Sequence, residues 1–280
     1  GIFRELAGLP VTIRLLDPPL HEFLPEHDAD LRKLAGEMGV AFDVLKRRND
    51  SLREFNPMLG HRGCRLAVTY PEIYETQARA IALAAVDCRR AQIQVKPEIM
   101  IPLVGTREEL RRMRELVVAA VDAVFEREGV RVEYHVGTMI ELPRACVRAD
   151  EIAEHADFFS FGTNDLTQTT LGFSRDDAET KFLALYLEQG IIGSNPFEHV
   201  DVPGVGALVR TAKELARGVK PGIKLGVCGE HGGDPDSIRF FDSIGLDYVS
   251  CSPFRVQTAR IAAAQAALDR KAGTAASSAA

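Results

Sequence analysis

The sequence has 280 residues, of which 46% are hydrophobic and 26% charged, with a formal net charge of −6 at pH 7. This is the composition of an ordinary globular enzyme, and the acidic balance excludes a general electrostatic attraction to nucleic acid or to an anionic membrane. The five cysteines are scattered without paired spacing, and no apolar run has transmembrane length, so we expect reduced thiols, a cytoplasmic location and no membrane partner.

Short apolar runs alternate with longer helical patterns along the chain. Several of these runs have apolar residues at adjacent positions, as strands do when both faces of a parallel sheet are buried. The predicted strands are residues 11–16, 98–104, 134–140, 158–161, 224–228 and 248–250.

Helix signals lie between and after these strands. Thr106 and Glu109 form a capping box that predicts a helix to about residue 128, and Asp234 followed by proline begins another, which Gly245 ends. Residues 254–271 form a final amphipathic pattern. We therefore expect one domain over residues 1–272 and a disordered tail of small residues over 273–280.

Strand and helix alternation predicts an α/β fold made of βα units with right-handed crossovers. At least four strands end in polar residues, which favours a (β/α)₈ TIM-type barrel over a doubly wound sheet. A closed barrel of this type needs eight strands, two more than the sequence supplies. We therefore expect a fragment whose first βα units lie upstream.

Two carboxylates follow neighbouring strands. Glu141 and Asp165 both come after apolar runs, so they would meet above one edge of the sheet. Two carboxylates with substrate oxygens and waters suit Mg²⁺, while the backbone of Gly162 and Thr163 and the side chain of Asn164 would form a donor-rich turn for an anion. The alternative makes Asp165 a helix cap and Glu141 a solvated loop acid.

Two arginines are candidates for anion binding. Arg14 lies inside an apolar strand, and Arg62 lies in GHRGCRL, where the flanking glycines let the backbone approach a ligand. A converging pair would bind phosphate through both guanidinium forks. The alternative is ordinary salt bridging, for example of Arg14 with Asp17. Three further arginines are expected to be structural or supporting: Arg65, Arg144 and Arg175.

Cys228 ends an apolar strand and precedes Gly229. Its thiol would be protonated at neutral pH and could give a proton to a carbon base. A buried cysteine acting as a small hydrophobe is the more common case, by about two to one. His231 is either an acid–base group or a hydrogen-bonded loop histidine, and Tyr248 either reaches the pocket or fills the core.

These residues lie in segments that together resemble the family of phosphoenolpyruvate-utilising enzymes. The segments are RLLDPPLHEFLP, EFNPMLGHRGCRLAVTYPEIY, PEIMIPLVG, HVGTMIELPRA, FFSFGTNDLTQTTLGFSRDD, GVCGEHGGDP and YVSCSPFRVQTARIAAAQAAL. Over about residues 11–270, the chain is similar to the carboxy-terminal phosphoenolpyruvate/pyruvate-binding domain of that family, especially of its pyruvate, phosphate dikinase branch.

The resemblance implies a (β/α)₈ barrel and a role for each candidate. Arg14 and Arg62 match phosphate-binding arginines, Glu141 and Asp165 match Mg²⁺ ligands, and Cys228 matches the acid that protonates the enolate carbon. A substrate-contacting loop is matched by Gly162, Thr163 and Asn164. Asp17 and Tyr248 match pocket residues without a defined role.

The implied activity is the phosphoenolpyruvate/pyruvate half of a reaction that converts ATP, phosphate and pyruvate to AMP, diphosphate and phosphoenolpyruvate. The implied partners are phosphoenolpyruvate or pyruvate, a phospho-histidine domain, and a second copy in a homodimer of the full-length enzyme. No segment matches the ATP-binding or phospho-histidine domains or a further phosphate-binding arginine of the family, so we expect the fragment alone not to complete the turnover.

Three other functions stay open. The first is another transferase of the same family, such as a phosphoenolpyruvate synthase or the enzyme I of the sugar phosphotransferase system. The second is a Mg²⁺-dependent barrel lyase or aldolase that acts on a pyruvate enolate without needing Cys228 or the arginine pair. The third is a non-catalytic module that serves as a dimer interface.

Overall fold

Six parallel strands form one sheet in the computed structural model of the chain, which describes residues 1–53 and 56–278. The strands are β1 Pro10–Arg14, β2 Lys96–Ile101, β3 His135–Ile140, β4 Phe158–Gly162, β5 Lys224–Cys228 and β6 Tyr248–Val249. All six predicted strands are confirmed, although β2 ends at Ile101 because Pro102 has no backbone N–H to donate and Leu103 has a φ of 60°.

Fourteen α-helices accompany the strands in the described part of the chain. They are α1 Ile2–Glu5, α2 Asp28–Met38, α3 Phe42–Ser51, α4 Gly63–Thr69, α5 Pro71–Arg90, α6 Arg107–Glu128, α7 Pro143–Val147, α8 Ala149–Ala153, α9 Thr163–Leu171, α10 Arg175–Lys181, α11 Leu183–Glu188, α12 Val205–Val219, α13 Pro235–Ser243 and α14 Val256–Ser278. Short 3₁₀ turns cover Leu20–Phe23, Pro57–Leu59, Glu230–Gly233 and Pro253–Arg255.

The strands are arranged in chain order, each hydrogen-bonded to the next. Val11 on β1 aligns with Pro97 on β2, for example, and Gly162 on β4 aligns with Cys228 on β5. Parallel neighbours in unbroken order, with helices in the connections, make a curled part of an α/β barrel of the TIM type. The expected α/β barrel architecture is therefore confirmed for these six strands.

The core lies between this sheet and its surrounding helices. The central strand β4 is buried along its whole length, so its phenylalanines face the helices on one side and the barrel interior on the other. Phe159 and Phe161 belong to the large cluster shared with α5, α6 and α12, whereas Phe158 joins Met100 and Met139 in a small interior cluster. This packing leaves the carboxyl ends of the strands open for a site.

The predicted helix signals are confirmed in α6 and α13. Thr106 and Glu109 make both hydrogen bonds of the capping box, and Gly129 ends α6 in the left-handed conformation. Asp234 caps α13 through a hydrogen bond from the Ser237 amide. None of the helices in the described ranges combines the length and apolar character of a membrane span.

The last helix is longer than the sequence pattern predicts. α14 continues to Ser278, beyond residue 271 where the amphipathic pattern ends, and the division into a domain over 1–272 and a tail over 273–280 stays a prediction. Residues 279 and 280 lie outside the described residues.

Candidate active site

An open cleft of about 1280 Å³ lies at the carboxyl ends of the strands. Six of the seven residues predicted to bind the ligand or the metal line it, namely Arg14, Arg62, Glu141, Gly162, Asn164 and Asp165, whereas the seventh, Thr163, is buried. Cys228 and Gly229 line the same cleft from the end of β5. Residues that are far apart in the sequence thus meet at one rim because parallel strands deliver their carboxyl ends to the same edge.

The two arginines converge on a carboxylate between them. Arg14 Nη1 lies 3.1 Å from Asp17 Oδ2, and Arg62 Nη2 lies 2.5 Å from the same oxygen. Asp17 is only 3% exposed, whereas the Arg14 side chain is 44% exposed toward solvent. The predicted convergence and the alternative salt bridge to Asp17 are therefore both present in one arrangement.

Asp165 is held by Arg62 and does not cap a helix. Arg62 Nη2 lies 3.0 Å from Asp165 Oδ2, and the N-cap of α9 is Gly162, without a side-chain cap. The Asp165 carboxylate, in the first turn of α9, is also stabilised by the positive end of the helix dipole. The alternative interpretation of Asp165 as a helix cap is therefore wrong.

Glu141 is buried, so its alternative interpretation as a solvated loop acid is also wrong. Its side chain is 1% exposed, and Oε1 accepts a 2.6 Å hydrogen bond from the Leu103 amide. Burial, followed by the negative charges of Asp165 and Asp17, raises the pKa of Glu141 to about 8. Leu103 has a φ of 60°, so this bond holds a strained backbone beside the cleft.

The carboxylate pair fits a divalent cation. Mutual repulsion between Glu141 and Asp165 contributes to the raised pKa of Glu141, and a cation between them would relieve it. A Cβ on Gly162 would lie 2.7 Å from Glu141 Oε2, so glycine here leaves space for that oxygen. The residues the structure describes contain no cluster of three His, Cys, Asp or Glu side chains, so most ligands would come from substrate and water, as Mg²⁺ allows.

Cys228 is a partly buried free thiol at the cleft. Its Sγ lies 3.7 Å from the Phe161 carbonyl oxygen, and burial raises the pKa of the thiol to about 11. The sulfur therefore keeps its proton at neutral pH. This environment suits a proton donor and disfavours a resting thiolate nucleophile.

The turn after β4 and the turn after β5 are bound to each other. Asn164 Oδ1 accepts a 3.1 Å hydrogen bond from the Glu230 amide. Thr163 is fully buried, and its Oγ1 lies 2.8 Å from His231 Nδ1. The other ring nitrogen, His231 Nε2, lies 2.9 Å from the Pro196 carbonyl oxygen. Both ring nitrogens of His231 are thus engaged, which supports the hydrogen-bonded interpretation of this residue.

The weaker candidates have mainly structural contacts. Arg65 donates to the carbonyls of Leu59 and Gly60, and Arg144 donates to the Gly105 carbonyl. Arg175 pairs with Glu179 and lines the outer cleft.

Tyr248 belongs to the barrel interior. A Cβ on Gly226 would lie 2.2 Å from its ring, and burial raises the pKa of its hydroxyl. Only a glycine on β5 leaves room for this ring, so Tyr248 fills the interior beneath the cleft.

Comparison with known proteins identifies the family of the chain. The family model described as "PEP-utilising enzyme, PEP-binding domain" matches residues 1–268. A pyruvate, phosphate dikinase of Rhizobium meliloti (strain 1021) is 59% identical over 269 residues, which are 96% of this chain and 30% of that protein. The chloroplastic pyruvate, phosphate dikinase of Flaveria trinervia is 57% identical over 267 residues, 95% of this chain and 28% of that protein.

The likeness extends to a clostridial relative. The pyruvate, phosphate dikinase of Clostridium symbiosum is 54% identical over 272 residues, 97% of this chain and 31% of that protein. The chain thus spans less than a third of the length of these curated relatives. With a family model that covers nearly all of its residues, this chain belongs to the family of PEP-utilising enzymes and corresponds to their PEP-binding domain.

Proposed function

We propose that this chain carries the phosphoenolpyruvate/pyruvate half-reaction of a pyruvate, phosphate dikinase, in which a phosphoryl group passes between phosphoenolpyruvate and a phospho-histidine carrier. The observation that carries the proposal is the single cleft lined by Arg14, Arg62, Glu141, Asp165 and Cys228. The names of the relatives favour a dikinase over a phosphoenolpyruvate synthase or an enzyme I.

The charges at the cleft suit a phosphate ester that also carries a carboxylate. Arg14 and Arg62 would bind the phosphate oxygens, since guanidinium groups match phosphate in charge and geometry. The cleft holds two guanidinium groups, Arg14 and Arg62, beside three carboxyl groups, Asp17, Glu141 and Asp165, so the protein side chains bring no excess of positive charge. The ligand carries about two negative charges on its phosphate and one more on its carboxylate. A bound cation would supply the positive charge that the protein side chains do not provide.

Family membership implies a divalent metal; we propose that this metal is Mg²⁺ and that Glu141 and Asp165 would hold it. When bound, this ion supplies positive charge to substrate oxygens during phosphoryl transfer. Gly162 and Asn164, which line the cleft beside Asp165, would contact the substrate. Thr163 supports them through its bond to His231.

Cys228 supplies the proton that completes the reaction. When a carrier imidazole takes the phosphoryl group, the bridging P–O bond breaks and its electron pair remains on the enolate oxygen of pyruvate. That oxygen then forms a carbonyl, and the carbon–carbon double bond takes the proton from Cys228 Sγ. In the reverse direction the Cys228 thiolate removes a methyl proton of pyruvate.

The remaining features belong to the proposed whole enzyme. The carrier would be a phospho-histidine domain of the same protein. ATP and phosphate would bind and react at other domains of that protein, outside this chain. We also propose a homodimer and a cytoplasmic location, while the named relatives include bacterial and chloroplastic proteins.

The test is proton exchange into the methyl group of pyruvate, followed by NMR in D₂O with Mg²⁺. Cys228→Ala is expected to lower the exchange rate by about 100-fold or more, since a positioned acid–base group contributes about that much. Its affinity for phosphoenolpyruvate should stay within about threefold of wild type, because the arginines bind the ligand. Cys251→Ala is the matched control, a second partly buried free thiol. Undiminished exchange in Cys228→Ala would overturn the proposal.

A further inference from the structure

Asp17 occupies a position that the proposed reaction does not use. Its carboxylate lies between two guanidinium groups, with Oδ2 at 3.1 Å from Arg14 Nη1 and 2.5 Å from Arg62 Nη2. Its other oxygen, Oδ1, lies 3.3 Å from Arg62 Nε. One buried carboxylate therefore bridges both arginines of the anion site.

This bridge fixes which donors face the ligand. Asp17 takes the Nε and Nη2 edge of Arg62, whose Nη2 also contacts Asp165, while Arg62 Nη1 makes a long 3.4 Å contact to the Met58 carbonyl. Arg14 uses Nη1 for Asp17 and for a 3.8 Å contact with Met139. Within the described ranges, Arg14 Nε and Nη2 have no protein acceptor, so each guanidinium keeps donors for a ligand.

The bridge also balances charge. Without an anion between them, two guanidinium groups that share one site would repel each other, and an empty site would favour their separation. The Arg62 side chain is 11% exposed, so it cannot escape into solvent without a rearrangement of its loop. A buried carboxylate is itself stable only when it is paired, as this one is on both sides.

The main chain ties the same two segments together. The Gly63 amide donates a 3.0 Å hydrogen bond to the Asp17 carbonyl oxygen. Gly63 has a φ of 57°, and a Cβ there would lie 3.1 Å from Asp17 Oδ1. The loop that carries Arg62 is therefore held against the loop that follows β1, with Asp17 as the shared contact.

We infer that Asp17 is the positioning residue that sets the spacing and orientation of Arg14 and Arg62 for the phosphate group of the substrate. This inference rests on the proposed function. It assigns Asp17 no contact with the reacting atoms, so the effect of its loss should depend on whether a ligand carries a phosphate.

The experiment compares two ligands by calorimetry in Mg²⁺. Phosphoenolpyruvate tests the phosphate site, and oxalate offers carboxylates without a phosphate. Asp17→Asn keeps the size of the side chain but removes its charge, and it should weaken phosphoenolpyruvate binding by about 10- to 100-fold, the range of a lost charged hydrogen bond. Oxalate binding should change by less than about threefold, because the phosphate-binding arginines do not hold this ligand.

Asp157→Asn is the matched control. Asp157 also bridges to an arginine, with Oδ2 at 3.0 Å from Arg114 Nη1, but it precedes β4 at the opposite end of the sheet. It should change neither affinity. The inference would be overturned if Asp17→Asn lost equal affinity for both ligands, or lost no affinity for phosphoenolpyruvate.

A second measurement needs no ligand and separates this inference from the proposed function. The Arg62 Nε–H signal in ¹⁵N NMR should exchange slowly with solvent in wild type and faster in Asp17→Ala, because alanine removes the Oδ1 that accepts from that group. If wild type binds neither ligand, the proposed function fails. An unchanged Arg62 signal in Asp17→Ala would then overturn the positioning role independently.

Discussion

At the scale of single residues, the titration of Glu141 makes the stability of the fold depend on pH. Burial and neighbouring carboxylates raise its pKa to about 8, whereas its ordinary value is 4.5. Between these two values the folded protein holds a proton that the unfolded chain has lost, so this group makes folding less stable as pH rises.

Glu141→Gln should remove this pH dependence. Its amide oxygen can still accept from the Leu103 amide, but it does not titrate. The free energy of unfolding is measured in urea, without metal, at pH 5 and at pH 8. As pH rises over this range, the free energy of unfolding of wild type should fall by at least about 1 kcal/mol relative to that of the variant, since one pKa unit corresponds to about 1.4 kcal/mol. Parallel pH profiles for the two proteins would contradict the raised pKa.

Cys228 offers a second test at this scale. Only the thiolate reacts with iodoacetamide, and the pKa of this thiol is raised to about 11. The alkylation rate of the Cys228 peptide, followed by mass spectrometry, should therefore rise about tenfold per pH unit from pH 7 to pH 9.5. A plateau near pH 8.5 would show an ordinary thiol and weaken its role as a proton donor.

Sequence patterns predict the chemical groups of the site better than their contacts. Arg14, Glu141, Asp165 and Cys228 line the cleft from strand ends or the residues just after them, whereas Arg62 reaches it from the loop before α4. The bridging position of Asp17 is not visible in the same way, because its closer partner is 45 residues away on another loop. The nearby Arg14 suggests only a local salt bridge.

At the scale of elements, the loop before α4 depends on one glycine. Gly63 has a φ of 57°, and a Cβ there would lie 2.7 Å from Leu103 Cβ. Gly63→Ala should therefore lower the free energy of unfolding by about 2–4 kcal/mol, from left-handed backbone strain and overpacking together.

Gly129→Ala separates these two causes. Gly129 has a similar φ of 64°, but a Cβ there would meet nothing within 4 Å. Gly129→Ala should lower the free energy of unfolding by about 1 kcal/mol, from the backbone conformation alone. Urea unfolding measures both variants, and equal losses would contradict the close packing of Gly63 against Leu103.

Element positions follow from the sequence where a buried face is continuous. All six strands have such faces, and the capping box of α6 and the Asp234 cap of α13 mark where these two helices begin. Between β1 and β2, the apolar stripes of α2 and α3 are weak, since the buried residues are only Leu31 and Ala35 in α2 and Asn49 in α3. Sequence patterns alone do not bound these helices.

At the scale of the whole molecule, the sheet order predicts a gradient of stability. β4 pairs with β3 and β5 and is buried throughout, whereas β6 is a two-residue strand that pairs with β5. Amides of Phe159 and Phe161 should therefore exchange with deuterium only on global unfolding, and those of Tyr248–Val249 at least about 100-fold faster. Uniform protection across β4 and β6 would contradict this order.

The central claim is that side chains from separate strands bind one ligand together, and calorimetric titration of phosphoenolpyruvate tests it most directly. Wild type and Asp165→Asn are titrated with and without Mg²⁺. We predict that Mg²⁺ tightens binding to wild type by about tenfold or more, since a new charge contact is worth at least about 1.4 kcal/mol, and that the variant loses this gain. An equal Mg²⁺ effect in both proteins, or no binding to wild type, would contradict the account.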